Sequence, residues 1–385
     1  MSKNDWFYPT KIRFGSGRVS ELPLACGSLS IKTPLLVTDS SLVNNPIIAD
    51  AIRTNNENGL STGQFSNFVS NPKGEDIVAG VQAFHKQNCD GVIAFGGGSA
   101  IDVGKAIALM VGQKRSIWDF EDVGNNWKNV NVEGMVPVVA VPTTAGTGSE
   151  TGRASVIVHE PTQTKKVIFH PGMMPGEVIL DPTLSISLPS QTTAATGMDA
   201  LVHCLEAYCV SSFHPMADGI ALEGLRLIKE WLPKAFSDGK NLSARGNMLV
   251  AASMGSTAFQ KGLGAVHALS HPVSALYNTH HGLTNAVILP YVLAFNQSQI
   301  AAKTKNIARY LNIANGSFGG LLDWVLALRR DLSIPHTLSE LRLPSDRISE
   351  MAKMAVKDAA APGNPVKLTV KNAQELYKAA FLGET

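Results

Sequence analysis

The spacing of apolar residues changes character about half-way along the chain. In the first part, short apolar runs bounded by turn residues alternate with stretches of helical period. Residues 6–14 read as a short aromatic strand ended by Gly15-Ser16-Gly17, and a helix carrying Leu22 and Leu24 follows. Pro34-Leu35-Leu36-Val37-Thr38-Asp39 reads as a buried strand that ends in an acid, 44–57 as a helix and 60–66 as a short strand. Residues 75–88 have helical period through Ile77, Val78, Val81 and Phe84, and Gly91-Val92-Ile93-Ala94-Phe95 fits an inner parallel strand. Val136 to Pro142 is another buried strand, 156–158 and 167–169 are paired short strands with Lys165 and Lys166 in the turn between them, and 178–182 is a last strand and stop. Such alternation predicts an α/β sheet.

After about residue 187 the period becomes helical throughout. Helices are expected over 190–210, 215–235, 242–261, 264–278, 284–296, 300–312, 319–331, 337–340, 346–357 and 371–382. The expected organisation is an α/β domain over 1–187 and an all-α domain over 188–385, with a ligand site in a cleft between them.

Composition narrows the function. An apolar share of 44% and a charged share of 17% are those of a globular protein. Lys+Arg 33 against Asp+Glu 31 leaves no basic surplus for nucleic acid or an anionic membrane. No uninterrupted apolar run of about 18 residues is present, so no spanning helix is expected. The N-terminus lacks the charged-then-apolar pattern of a signal peptide. Cys26, Cys89, Cys204 and Cys209 form no CxxC pair and read as reduced thiols of a cytoplasmic protein.

The helical half holds the chemistry. Asp199 and His203 are four residues apart within helical spacing, so both side chains lie on one face and can reach one ion. His267 and His271 repeat that spacing, and His280-His281 precede a glycine and a further apolar run. Imidazoles with one carboxylate suit zinc, iron or nickel. A histidine alone is more often a satisfied core or surface residue, so the pattern rather than any single position carries this reading. In the α/β half, Gly96-Gly97-Gly98-Ser99 joins a strand to a helix near Ala100, where close backbone approach and free N–H groups favour a phosphate. Ile101 breaks a GxGxxG fingerprint, and no P-loop lysine follows. Thr143-Thr144-Ala145-Gly146-Thr147-Gly148-Ser149-Glu150 brings hydroxyls to another strand's carboxyl end.

These segments together resemble the iron-containing (group III) alcohol dehydrogenases, whose fold is shared with glycerol dehydrogenase and dehydroquinate synthase. Gly96 to Asp102 matches that family's GGGSxxD, and Pro142 to Glu150 its PTTAGTGSE. Gly197 to His203 and Val266 to Pro272 match its metal-bearing helices, and His281 to Ala286 its HGxxNA. The resemblance spans essentially the whole chain. It implies Asp199, His203, His267 and His281 as metal ligands, a set that maleylacetate reductases lack. It implies NAD along the two loops, with Gly97, Gly98 and Ser99 at the pyrophosphate and Thr143, Thr144 and Thr147 on the adenine and nicotinamide-ribose side. Lys166 matches a lysine that reaches the nicotinamide ribose. Asp39 ends the strand that reads the adenosine ribose, where a carboxylate accepts from a 2′-hydroxyl, repels a 2′-phosphate and also serves as a helix cap.

The implied reaction is reversible reduction of a small aldehyde to a primary alcohol, with iron, or alternatively zinc, as Lewis acid. His271, one turn beyond His267, is the candidate for proton relay or nicotinamide positioning. Lys261 is either an attractor for an acidic substrate, such as a semialdehyde or a phosphonoacetaldehyde-type compound, or a solvated helix-end charge. A dehydroquinate-synthase-like lyase and a non-catalytic metal- or nucleotide-binding protein are the other classes. Homodimers or larger assemblies are expected, with the aromatic N-terminal strand as a candidate contact.

Overall fold

The computed structural model describes residues 8, 10–68 and 70–384. Trp6, Phe7 and Pro9 of the expected first strand, and most of the N-terminal segment read for a signal peptide, lie outside them. The described chain divides into two compact units. One comprises Tyr8–Thr144 and Gly148–Ser187; the other begins at Leu188 and includes Ala145–Thr147.

The first unit is built on a six-stranded parallel sheet. Its strands are β1 (Lys11–Phe14), β2 (Pro34–Val37), β3 (Gly63–Phe65), β4 (Gly91–Gly96), β5 (Val138–Pro142) and, after a separate hairpin, β8 (Glu177–Leu180). The order across the sheet is β1-β8-β5-β4-β2-β3. Helices α1 (Leu22–Ser28), α2 (Pro46–Glu57), α3 (Gly74–Lys86) and α4 (Gly98–Met110) link these strands. Every residue of β2, β4, β5 and β8 is buried, as a parallel sheet covered on both faces requires. Asn45 starts α2 by accepting from the Ile47 N–H, with Pro46 in the first turn.

The chain leaves β2 for the edge strand β3, then returns to β4 on the other side of β2. The winding therefore reverses between β2 and β4, and the carboxyl ends flanking such a reversal are where doubly wound sheets bind ligands. Those ends carry Asp39 and Gly96-Gly97-Gly98.

The hairpin is antiparallel, β6 (Ala154–His159) with β7 (Thr164–Phe169). Lys165 and Lys166 lie in β7 opposite Val158 and Ile157, not in the turn, which is made by residues 160–163. The strands extend further than their apolar cores because cross-strand pairing includes polar positions.

The second unit is helical: α5 (Ser190–Cys209), α6 (Pro215–Ser237), α7 (Leu242–Ala258), α8 (Ala265–Tyr277), α9 (His281–Tyr310), α10 (Phe318–Asp331), α11 (Ile348–Ala355) and α12 (Val370–Leu382). Two expected helices, 284–296 and 300–312, are one 30-residue helix, α9. Its polar stretch around Asn296 does not break it, because the Asn296 amide is buried and exchanges two 2.8 Å hydrogen bonds with Asn364. The expected helix at 337–340 is a turn, in which the Glu340 carboxylate accepts from the His336 N–H at 2.9 Å. Ala145 packs against this unit's apolar core. Among the described residues no helix is long and apolar enough to cross a membrane.

Helix α5 is the core element, with every residue from Thr193 to Cys209 buried except Thr196. Arg245 holds its first turns through Thr193 Oγ1 at 2.7 Å and the Leu188 carbonyl at 3.1 Å. At its other end Lys303 Nζ donates to the carbonyls of Tyr208, Cys209 and Val210 at 2.8, 3.2 and 2.6 Å, the favourable charge for a helix C-terminus.

Candidate active site

Asp199 and His203 occupy successive turns of α5, His267 and His271 successive turns of α8, and His281 begins α9. One donor atom from each of Asp199, His203 and His267 lies within 4.8 Å of the others, and all three residues are buried. His281 Nε2 stands 3.8 Å and His267 Nε2 3.9 Å from Asp199 Oδ1. The His203 and His267 rings stack with centroids 4.7 Å apart, and the His271 and His281 rings at 5.2 Å. Four tetrahedral bonds of about 2.1 Å place donor atoms about 3.4 Å apart, so a small inward shift fits this donor set to a borderline divalent ion. Asn285, one turn after His281, fills the middle of the cluster. Its Nδ2 donates to Asp199 Oδ1 at 2.7 Å and lies 3.3 and 3.2 Å from Nε2 of His267 and His281.

Burial, only partly offset by the Asp199 charge, holds the His203 imidazolium down at about 4, so the ring is neutral near pH 7 with a free lone pair. Burial also works against the charged form of His267, but the Glu206 carboxylate at Nδ1, with the charges of Glu206 and Asp199, outweighs it and raises this group. Glu206 Oε2 is 2.6 Å from His267 Nδ1, and Oε1 accepts from the Val266 N–H at 2.7 Å. His271 is oriented in the same way, with Nδ1 2.8 Å from Asp358 Oδ2.

Glu206, Asn285 and Asp358 were not among the expected site residues. Glu206 follows Asp199 by seven residues and Asn285 follows His281 by four, so helical spacing put both on the faces that carry the candidate ligands. Asp358 has no local signal. His280 is exposed and caps α9, its Nδ1 accepting from the Leu283 N–H at 3.3 Å. Lys261 is neither a solvated charge nor a free attractor. Its side chain is fully buried, and Nζ donates to Asp218 and, at 3.3 Å, to the Tyr208 carbonyl.

In the first unit the strand ends gather a second group. Gly96 has φ +149°, a conformation that glycine adopts without strain, and its carbonyl accepts from the Thr143 N–H at 2.9 Å. Gly97 precedes the first residue of α4, and a Cβ on it would touch the Thr144 side chain at 3.5 Å. The first-turn N–H groups of Gly98, Ser99 and Ala100 have no partner within the helix, the usual basis of an anion site. Asp39 Oδ1 accepts from Ser41 N, Ser41 Oγ and Leu42 N at 2.9, 2.5 and 3.2 Å. Its Oδ2 faces Gly96, 3.6 Å from where a Cβ would stand. Beneath the loop, Asp102 accepts from Ser149 Oγ at 2.5 Å and Val156 N at 3.0 Å. The buried Lys105 Nζ donates to the Ser149 carbonyl and hydroxyl at 2.9 and 2.7 Å. The motif aspartate thus ties α4 to the threonine loop. Lys166 Nζ is held 2.6 Å from Glu121 Oε2, and Thr147 belongs to the segment grouped with the helical unit.

Residues 9–182 match the model of the family "Iron-containing alcohol dehydrogenase", and residues 193–381 match the family's C-terminal model. The chain belongs to the iron-containing alcohol dehydrogenase family. It is an oxidoreductase, and the lyase and purely binding readings give way to that class. An NAD-dependent methanol dehydrogenase of Bacillus methanolicus is 34% identical over 387 residues, covering 98% of this chain and all of that one. A 4-hydroxybutyrate dehydrogenase of Cupriavidus necator is 34% identical over 369 residues, 93% of this chain and 95% of that one. The crystal structure of a 1,3-propanediol oxidoreductase superposes with a TM-score of 0.92 at 33% identity, over 99% of this chain and 100% of that one.

Proposed function

We propose that this iron-containing alcohol dehydrogenase family member transfers hydride reversibly between NAD(H) and a small primary alcohol or aldehyde, with one divalent cation held by Asp199, His203, His267 and His281. The observation that carries this reading is the convergence of the Asp199, His203 and His267 donor atoms within 4.8 Å, in a buried setting. Iron is the expected ion, and zinc suits the same donors. The bound cation supplies Lewis acidity at the substrate oxygen, and the bound nicotinamide supplies or takes the hydride.

The remaining work falls to the chain's own groups. His271, with Nδ1 directed at Asp358, keeps Nε2 for moving a proton to and from the substrate oxygen. The N–H groups of Gly97, Gly98 and Ser99 bind the pyrophosphate, and Asp39 Oδ2 accepts from a ribose hydroxyl. Thr143, Thr144 and Thr147 line the dinucleotide, and Lys166 exchanges Glu121 for the nicotinamide ribose. The NAD-dependence in the name of the methanol dehydrogenase relative supports this cofactor.

An acidic alcohol is the second reading, favoured by the relative named for 4-hydroxybutyrate. The pairing of Lys261 with Asp218 argues against a free cation at that position. We place the enzyme in the cytoplasm, in keeping with its four free cysteines, and as a homodimer or larger assembly. The exposed side chains of Tyr8, Ile12 and Phe14 on or beside the edge strand β1 are the candidate contact.

The test is a panel of neutral and acidic alcohols and aldehydes with NAD and NADP, on protein loaded separately with ferrous iron and zinc. Turnover with NAD of a small neutral alcohol, lost on chelation and restored by one ion, is expected. Metal-independent turnover, or none with any member of the panel, sinks the reading. Light scattering tests the assembly state.

A further inference from the structure

Glu206, on α5, meets two successive residues at the start of α8 with a single carboxylate. Oε1 accepts from the Val266 N–H in the first turn of α8, and Oε2 meets His267 Nδ1 at 2.6 Å. A carboxylate offers no proton, so His267 Nδ1 is the donor in this pair. The ring proton is thereby fixed on Nδ1, and Nε2 keeps its lone pair. Nε2 is the atom facing Asp199 Oδ1 at 3.9 Å and Asn285 Nδ2 at 3.3 Å. The surroundings reserve this geometry. A Cβ at Gly264 would come to 2.9 Å from Glu206 Oε1 and 3.0 Å from Asn364 Oδ1, and Asn364 Oδ1 accepts from the Ala265 N–H at 3.0 Å.

We propose that Glu206 is a positioning residue for the metal centre, which sets cation affinity by holding His267 in the tautomer whose Nε2 is free to bind. This rests on the assignment of His267 as a ligand. Glu206 makes no bond to the cation or to substrate. Carboxylates behind a metal-bound imidazole raise its basicity and fix its orientation, and their loss typically costs ten- to a hundredfold in affinity.

Glu206→Gln separates this role from simple helix capping. The glutamine carbonyl can still accept from the Val266 N–H, so the start of α8 is retained. Its amide offers only hydrogens to His267 Nδ1, which must then accept, leaving the proton on Nε2 and no lone pair for a cation. Zinc and ferrous iron are titrated into chelator-stripped wild type and Glu206→Gln, and nitrogen NMR reads the His267 tautomer in the metal-free proteins. The expected result is a Kd for either ion weakened about ten- to a hundredfold, a shift from an Nδ1–H to an Nε2–H ring signal, and unchanged NAD binding. Gly264→Ala, which displaces the carboxylate without altering its charge, stands in where Glu206→Gln does not fold and is expected to weaken the metal in the same direction. A metal Kd within about twofold of wild type in a folded variant overturns the proposal. If wild type itself takes up neither ion, the ligand assignment fails instead, and an unchanged tautomer signal in the variant then overturns the role of Glu206 independently.

Discussion

His271 and Asp358 are 87 residues apart in sequence and joined at 2.8 Å between Nδ1 and Oδ2, with both side chains largely buried. Asp358 is itself fixed, since its Oδ1 accepts from the Ala360 N–H at 2.9 Å. An imidazole anchored at Nδ1 exchanges protons through Nε2 alone, the geometry that the proposed relay through His271 needs. Asp358→Asn and His271→Ala are each expected to lower kcat about a hundredfold while metal content stays at the wild-type level. Steady-state rates combined with metal analysis check this, and an unchanged kcat in His271→Ala would remove it from proton transfer.

Asp39 spends one oxygen on the turn that follows β2 and keeps the other toward Gly96. In the proposed binding mode a charge there is hostile to a 2′-phosphate. Asp39→Asn preserves the acceptors of the turn and removes the repulsion. The NAD-to-NADP ratio of kcat/KM is expected to fall about tenfold, equivalent to about 1.4 kcal/mol. Stopped at parity with wild type, that ratio would show that selectivity is set elsewhere.

Lys261 neutralises Asp218 and serves the end of α5, so its charge is spent on the fold. Lys261→Met is expected to cost about 1–2 kcal/mol of stability, in line with loss of a charge-assisted hydrogen bond. It should lower kcat/KM equally for butyraldehyde and succinate semialdehyde. A selective loss with the semialdehyde alone would restore Lys261 as a substrate contact.

Glu177 anchors the sheet edge. Burial disfavours its charge, but hydrogen bonds from Arg13, Lys11 and Ser28 outweigh that and lower the carboxyl from 4.5 to about 2. A depressed folded value means that the unfolded chain takes up the proton first. The contribution is therefore complete above about pH 4.5 and is lost as pH falls toward 2. Arg13→Met should destabilise the protein by about 2 kcal/mol near neutrality and flatten the acid limb of the stability curve over that window. Denaturant melts across the acid range read both effects, and parallel curves for the two proteins would contradict this account.

Much of the site was legible before any fold was known. Asp199 and His203 share a helix face by spacing alone, and the apolar run from Val92 to Phe95 between glycines marked an inner strand. What escaped was decided by tertiary partners. Asn296 is polar in a helical stretch and reads as a break, yet a buried amide pair with Asn364 carries α9 straight through it. Lys261 reads as a helix-end charge until Asp218 is seen beside it. Asp358 reaches His271 only because the chain after α11 folds back onto α8, and no periodicity encodes such a return.

The bolting of α5 at both ends has a consequence for the ion proposed to sit at Asp199 and His203. With Arg245 gripping its first turns and Lys303 its last carbonyls, the helix cannot slip lengthwise to adapt to its guest. The backbone spacing between Asp199 and His203, about 6 Å of helical rise, is then set at folding, and the small inward shift that a divalent ion asks for falls to their side chains.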